Sequence, residues 1–332
     1  MGLLRRGTGS KGSFKILYAT DIHGSEVTWR KFLNSAKFYK VDALVCGGDL
    51  MGKILVPVVR GAGGVRTARF QGRTERFAGG EELARFTKVL QTLGHYWYEC
   101  DEDEYLTLRD DEPAIDALFT DLAKVRLRAW AELAEDRLAG THVQAFLQGG
   151  NDDTDDVLSV LSEPGHDRVV AAEGRMVQVG DNHTMVSLGY STPTPWNTPR
   201  EASDEQLEKM IRELVADVDD PSRCIFNFHV PPLDSTLDTC LQLDESVWPP
   251  TPIVRGGQPV EFGAGSAAVR DALEEYQPLI GLHGHIHESR GSVRYGHTAA
   301  LNPGSEYGEG VLRGAIVTVK DDQVAGTQFT SG

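Results

Sequence analysis

The sequence predicts a layered α/β sandwich, with sheets inside and helices outside. Short runs rich in apolar, β-branched or aromatic residues, FKILYAT (14–20), ALVCGG (43–48), VQAFLQ (143–148) and RCIFNFH (223–229), each end at or just before Gly, Asp, Asn or His. Fully buried strands have this look. Helix-like segments lie between the runs, and after residue 290 the pattern changes to short alternating strands, SVRY, TAALN, GAIVTV and VAGTQF. Strand–helix alternation that gives way to hairpins is the signature of the sandwich.

Each helix has a periodic face. Val27–Tyr39 repeats Trp29, Phe32, Leu33, Ala36 and Tyr39 at helical spacing. Ser203–Ala216 opens with Ser203 and Glu205, good first-turn residues, and continues through Leu207, Ile211 and Leu214. Ser266–Tyr276 reads the same way. One stretch breaks the rhythm. Ile54–Arg60 and Val65–Gln71 flank Gly61-Ala62-Gly63-Gly64, a hairpin pattern, and Glu81–Ala139 is helix-forming and densely charged with a break near Glu112-Pro113. Residues 54–140 are therefore expected to be an insertion of a β-hairpin and helices within one domain of 332 residues, serving as a cap, a dimer arm or a solvated decoration. HYWYEC (95–100) is expected to be its docking seam.

Bulk properties narrow the class. Hydrophobic residues make up 40% and charged residues 25%, which is ordinary for a soluble globular chain. No apolar run approaches the roughly 18 residues of a membrane span. MGLLRRGTGSKGS (1–13) has no apolar core for a secretory signal and reads as a short disordered leader. Cys46, Cys100, Cys224 and Cys240 form no CxxC pair, and Cys46 and Cys224 sit in strand-like runs as buried thiols do, so a cytoplasmic setting is expected. The net charge of −16 opposes a general nucleic-acid binder but not a phosphorylated substrate, since bound metals would reverse the local potential.

Seven metal-binding side chains stand where strands are expected to end: Asp21 and His23, Asp49, Asn151, His229, and His285 and His287. Any one histidine alone is more often structural; five short motifs in this context are not. Asp21-x-His23 and His285-x-His287 are i, i+2 pairs, which face one side if the backbone is extended. Asp49 follows two glycines that allow close backbone approach, and its two oxygens can bridge two ions. Asn151 adds a neutral oxygen and His229 an imidazole. Oxygen and imidazole together suit Mn²⁺, Fe or Zn²⁺ better than Mg²⁺ or Ca²⁺. The glycines at 61–64 make no phosphate loop because no GK[ST] follows, and no G-x-S-x-G elbow is present.

The ordered motifs D-x-H, G-D, G-N, H and G-H-x-H resemble the calcineurin-like metallophosphoesterase superfamily over nearly the whole chain outside the insertion. GYSTPTPWNTPRE, HVPPLDSTLD and HGHIHES followed by LNPGSEYGEG look like its Icc-related branch. The resemblance implies a four-layer α/β/β/α fold and two divalent ions. Asp21, His23 and His287 would hold one, Asn151, His229 and His285 the other, with Asp49 between them. It implies hydrolysis of a phosphodiester or phosphomonoester by attack of a metal-bridging hydroxide held at Asp49, with His229 at the reacting centre. Many relatives place a proton-donating histidine after the asparagine; here Asp152 stands there, a candidate acid or a residue that orients His229 or a water. Asn151 and Arg290 are candidate substrate contacts, and Ser191, Thr192 and Asn302 lie in loops that could reach the site. His283 is expected to support a ligand. His95, His142, His166, His183 and His297 have no motif support. Different readings are a metal-binding scaffold with little turnover, or a nuclease using Arg60, Arg66, Arg69 and Arg73. A homodimer is a further expectation.

Overall fold

Period-two alternation along the buried strands feeds three hydrophobic layers at once. The computed structural model describes residues 13–332, so all of the expected leader except Ser13 lies outside the described residues. The chain runs through β1 (Phe14–Ala19), α1 (Glu26–Tyr39), β2 (Ala43–Cys46), β3 (Leu55–Arg60), β4 (Arg66–Phe70), β5 (Arg73–Phe77) and α2 (Gly80–Thr92). It continues with β6 (Tyr96–Asp101), α3 (Glu102–Leu108), α4 (Glu112–Leu138), β7 (Gln144–Leu147), β8 (Val169–Ala171), β9 (Met176–Val179), β10 (His183–Leu188), α5 (Asp204–Val215) and β11 (Cys224–Phe228). Short ribbons fill 239–263. Then come α6 (Ala267–Tyr276), β12 (Ile280–Leu282), β13 (Gly291–Tyr295), β14 (Thr298–Asn302), β15 (Arg313–Lys320) and β16 (Gln323–Ser331).

Two six-stranded sheets form, in the orders β16-β15-β1-β2-β7-β8 and β13-β14-β12-β11-β10-β9. Ile16 and Tyr18 of β1 and Val45 of β2 meet Met185, Ile225, Ile280 and Leu301 between the sheets. The intervening residues Leu17, Ala19, Leu44 and Cys46 face the other way, onto Trp29 and Phe32 of α1 and Trp130 and Ala134 of α4. On the second sheet Phe226 and Phe228 pack under Leu207 and Ile211 of α5 and Val269 and Leu273 of α6. The architecture is a four-layer α/β/β/α sandwich. Cys46 and Cys224 are buried free thiols within it.

Residues 54–140 carry a sheet of their own, β5-β4-β3-β6, over a small core of Val56, Val58, Ala68, Phe77 and Leu90. The glycine turn joins antiparallel β3 and β4. The helix-forming reading of 81–139 is corrected at HYWYEC, where β6 pairs in parallel with β3 in the register Leu55↔Tyr96. Its three aromatic residues in a row favour strand, a signal masked by the charged helices around it. The α4 helix belongs to both parts. Its Trp130 stacks on Trp29 at 4.8 Å, with both rings buried, an aromatic pair worth about 0.5–1.5 kcal/mol beyond its area. Among the described residues no helix is long and apolar enough to cross a membrane.

Candidate metal centre

Neighbouring strands β1, β2 and β7 run parallel, as do β11 and β12, so their carboxyl ends gather at one edge of the sandwich. The five sequence motifs leave from these five ends, the usual place for a site on open α/β sheets. The local backbone differs from the extended form that the i, i+2 spacing suggests. Asp21 (φ 53°), His23 (φ 43°), Asp49 (φ 51°) and His285 (φ 66°) are all left-handed. That conformation is uncommon and costly for residues with a side chain, and it persists where surrounding structure enforces it. Here the enforcement is visible: Asp21, His23 and Gly24 donate their amides to the carbonyls of Gly48, Asp49 and Leu50 at 2.8–3.0 Å. Tight left-handed turns, rather than strand alternation, bring Asp21 and His23 together. Ser25 then caps α1 and sends the chain away, its side chain accepting from the Thr28 amide.

Ligand atoms of Asp21, His23, Asp49 and His287 all lie within 4.8 Å of one another. His23 Nε2 is 3.1 Å from His287 Nε2 and 3.4 Å from Asp49 Oδ2, and His287 Nε2 is 3.3 Å from Asp21 Oδ1. On the other side of Asp49, His229 Nε2 is 3.5 Å from the same Oδ2, and His285 Nδ1 is 2.7 Å from Asn151 Oδ1. Bonds of about 2.0–2.2 Å to one ion put adjacent ligand atoms about 3–3.5 Å apart, so the Asp21, His23, Asp49 and His287 group has suitable spacing. Asp21, His23, Asp49, Asn151 and His229 are buried, and His285 and His287 are half-buried at the opening. His229 is fixed by Nδ1 on the Gly47 carbonyl at 2.8 Å, while its buried Nε2 has no hydrogen-bond partner. A largely buried donor set with one nitrogen unpaired and aimed at a carboxylate fits a cation.

Protonation follows the same logic. Burial pushes His23 down and His285 down to about 4, keeping them as the neutral imidazoles that ligate metals. Burial also works against charge on His229, yet Asp49 and Asp21 raise it to about 9. For Asp21, burial works upward, but the hydrogen bond and charge of His287 hold the carboxyl below its ordinary range. The pocket's carboxylates favour positive charge at its centre.

Several residues that hold the donors are not among the site residues expected from the sequence. Asp153 is fully buried and accepts three amides: Leu50 and Gly150 on Oδ2 at 2.9 and 2.8 Å, and Met51 on Oδ1 at 2.7 Å. It staples the Asp49 loop to the Asn151 loop. Burial and the charge of Asp49 push its carboxyl up to about 7, against the pull of those amides. Buried Arg200, paired with Glu173, bonds the Gly150 carbonyl. Arg126 donates to the Gly24, Gly94 and His95 carbonyls over the Tyr96 ring, tying 94–96 to the His23 loop. At Gly150 a Cβ would fall on Asp49 Oδ1 and crowd its amide. Gly150→Ala is therefore expected to displace Asp49 and weaken metal binding by about 10–100-fold, measured by titrating metal-free protein with Mn²⁺; unchanged affinity would refute the close-approach argument.

Other expected residues fall differently. Asp152 Oδ2 is 2.6 Å from Lys53 Nζ and 3.6 Å from His23 Nδ1, and its amide donates to Asp49 Oδ1 at 3.1 Å. Burial and Asp49 raise its carboxyl to about 6, with Lys53 opposing. Arg290 lies with its guanidinium 5.0 Å over the Phe329 ring, a cation–π contact. Asn302 is a buried brace, its amide reaching the Leu237, Gly284 and Ile286 carbonyls. Ser191 and Thr192 spend their hydroxyls on the Thr192 and Ala264 carbonyls. His283 is buried with Nδ1 on the Phe228 carbonyl, just before His229. Tyr307, which lies in the LNPGSEYGEG string but is not among the expected site residues, packs its ring 4.6 Å from that of His23.

The two-sheet sandwich carries its Asp and His donors at the strand ends, in the four-layer arrangement that the motif resemblance implies. No family model matches the chain. An uncharacterized protein of Methanocaldococcus jannaschii is 28% identical over 164 residues, 49% of this chain, and the chain spans 64% of the length of that curated relative. Among solved structures, one crystal structure superposes with a TM-score of 0.55 at 15% identity, covering 96% of this chain and 99% of that one. The crystal structure of TT1561 of Thermus thermophilus gives 0.53 at 13%, covering 97% and 99%. At such identities the likeness is one of fold.

Proposed function

We propose that this chain is a hydrolase that cleaves the phosphoester bond of a small phosphorylated molecule, with two divalent ions among its seven donors. The observation that carries the reading is Asp49, whose Oδ2 lies 3.4 Å from His23 Nε2 and 3.5 Å from His229 Nε2. One buried carboxylate oxygen thus stands between two donor groups. Asp21, His23 and His287 would hold one ion, Asn151, His229 and His285 the other, and Asp49 both. Bound there, a pair of such ions polarises phosphoryl oxygens and lowers the pKa of water. The mixed nitrogen and oxygen set supports Mn²⁺, Fe or Zn²⁺.

The protein's own part is orientation. Asn151 Nδ2 donates to Thr198 Oγ1 at 3.0 Å, and its Oδ1 lies 2.7 Å from His285 Nδ1. His229 cannot swing, because Gly47 holds its other nitrogen. At the position of a leaving-group acid stands Asp152, one oxygen of which is engaged by the Lys53 ammonium. That pairing draws the group toward the carboxylate form, against the burial and the Asp49 charge that raise it, and it occupies the oxygen that would carry a proton to the leaving group. Esters with good leaving groups are therefore expected to turn over best.

The test is a panel of aryl and alkyl phosphomonoesters and diesters with metal-free protein reloaded with Mn²⁺, Fe or Zn²⁺. Aryl esters are expected to be cleaved about 100-fold or more faster than alkyl esters, the usual worth of a missing acid, and a chelator should abolish turnover. Metal-loaded protein that cleaves no ester would sink the catalytic reading. Equal rates for aryl and alkyl esters would instead show that a proton donor is at work.

A further inference from the structure

One cation at this centre has no place in the ligand set. Lys53 follows Asp49 by four residues, on the loop between β2 and β3. Its ammonium is 2.6 Å from Asp152 Oδ2, and Asp152 is bonded through its amide to Asp49 Oδ1. Lys53 therefore stands one side chain away from the shared ligand and, through the 3.6 Å approach of Asp152 to His23, beside the first donor group. Its side chain is 45% exposed, whereas those of His23, Asp49 and His229 are between 0% and 3%. The charge sits at the opening, not in the core.

The loop that carries it is held at three consecutive amides. Leu50 and Met51 donate to Asp153, and Gly52 donates to the Tyr96 hydroxyl at 3.1 Å. A lysine on so constrained a backbone is placed in advance rather than left to wander. An ammonium has three donors, and the structure gives one to Asp152. Without Lys53, the carboxylate of Asp152 would meet an incoming phosphate as a bare like charge. With it, that repulsion is masked and two donors are left over.

We propose that Lys53 is the substrate-binding cation of this centre, its two remaining ammonium hydrogens taking a phosphoryl oxygen of the bound ester. The inference rests on the phosphoester reading above, and it makes Asp152 the residue that positions Lys53. A dianionic monoester gains more from this contact than a monoanionic diester, so the preference it builds is for phosphomonoesters.

The experiment compares wild type with Lys53→Met, Lys53→Arg and Asp152→Asn, all loaded with Mn²⁺. Inorganic phosphate binding is read by calorimetry, metal content by elemental analysis, and kinetics with 4-nitrophenyl phosphate and bis(4-nitrophenyl) phosphate. Lys53→Met is expected to weaken phosphate binding and raise the monoester KM about tenfold or more, a charge-assisted hydrogen bond's worth. The diester KM should move less than about threefold, with kcat and metal content little changed. Lys53→Arg should recover most of the loss, and Asp152→Asn should weaken phosphate binding in part by releasing the ammonium. Phosphate binding and monoester KM unchanged in Lys53→Met would overturn the proposal. So would loss of metal from that variant, which would assign Lys53 to the ligand loops. If wild type binds phosphate but cleaves no ester, the hydrolase reading fails while the calorimetry still decides Lys53. Wild type that binds metal but no phosphate overturns both.

Discussion

Asp49→Ala is expected to lower kcat/KM by at least about a thousandfold and to remove tight binding of both ions, while the protein stays folded. The expectation follows from the position of one oxygen. Asp49 Oδ2 is the atom near His23 and also the atom near His229, so its removal depletes both donor groups together. Asp21 Oδ1 also lies near both imidazoles, but farther off, at 3.9 Å from His23 Nε2 and 3.9 Å from His229 Nε2. His287→Ala should therefore be milder, because His287 belongs to the Asp21 and His23 group and is the most exposed of that group, with a side chain 31% accessible. It should spare the ion held by Asn151, His229 and His285. Folding should tolerate Asp49→Ala because Asp21 and Asp49 are buried near one another, and without metal their charges repel. Elemental analysis, calorimetric metal titration and ester hydrolysis read the result. An Asp49→Ala protein that keeps two ions and activity within tenfold of the parent would remove the basis for a shared carboxylate.

The donors are legible in the sequence because each ends a buried strand. An apolar run that stops at Asp, Asn or His is conspicuous, and the parallel pairing of β1, β2 and β7 then gathers those ends without further information. The backbone at the donors is not legible. The i, i+2 spacing of Asp21 and His23 suggests extended chain, while the folded loops are left-handed at both, enforced by amide bonds to residues 48–50. Long-range partners are equally hidden. Lys53 and Asp152 are 99 positions apart, and neither has a periodic or motif signal that names the other. Tyr307 reaches His23 from near the far end of the chain, and is hidden for the same reason. The HYWYEC strand is obscured because its charged flanks set a helical expectation, although three adjacent aromatics point to β-structure.

Asp153 carries the second large effect, and it acts through the backbone alone. Its carboxylate is buried and accepts the Leu50, Met51 and Gly150 amides at 2.7–2.9 Å. Two of those amides belong to the loop that carries Asp49 and the third to the loop that carries Asn151. Asp153→Ala leaves three buried donors without partners. At about 1–3 kcal/mol for each unmet group, with partial relaxation, the loss is expected to be about 3–5 kcal/mol in urea unfolding. Metal affinity should fall by about 10–100-fold because the shared ligand loses its support. Asp153→Asn separates charge from geometry. Its carbonyl oxygen can keep the pair of bonds made by Oδ2, but its amide nitrogen then meets the Met51 N–H donor to donor. It should therefore cost roughly half as much as alanine. If Asp153→Ala unfolds within about 1 kcal/mol of the parent, or if its metal affinity is unchanged, the three amides must have found other partners. The donor groups would then be held by the left-handed turns alone.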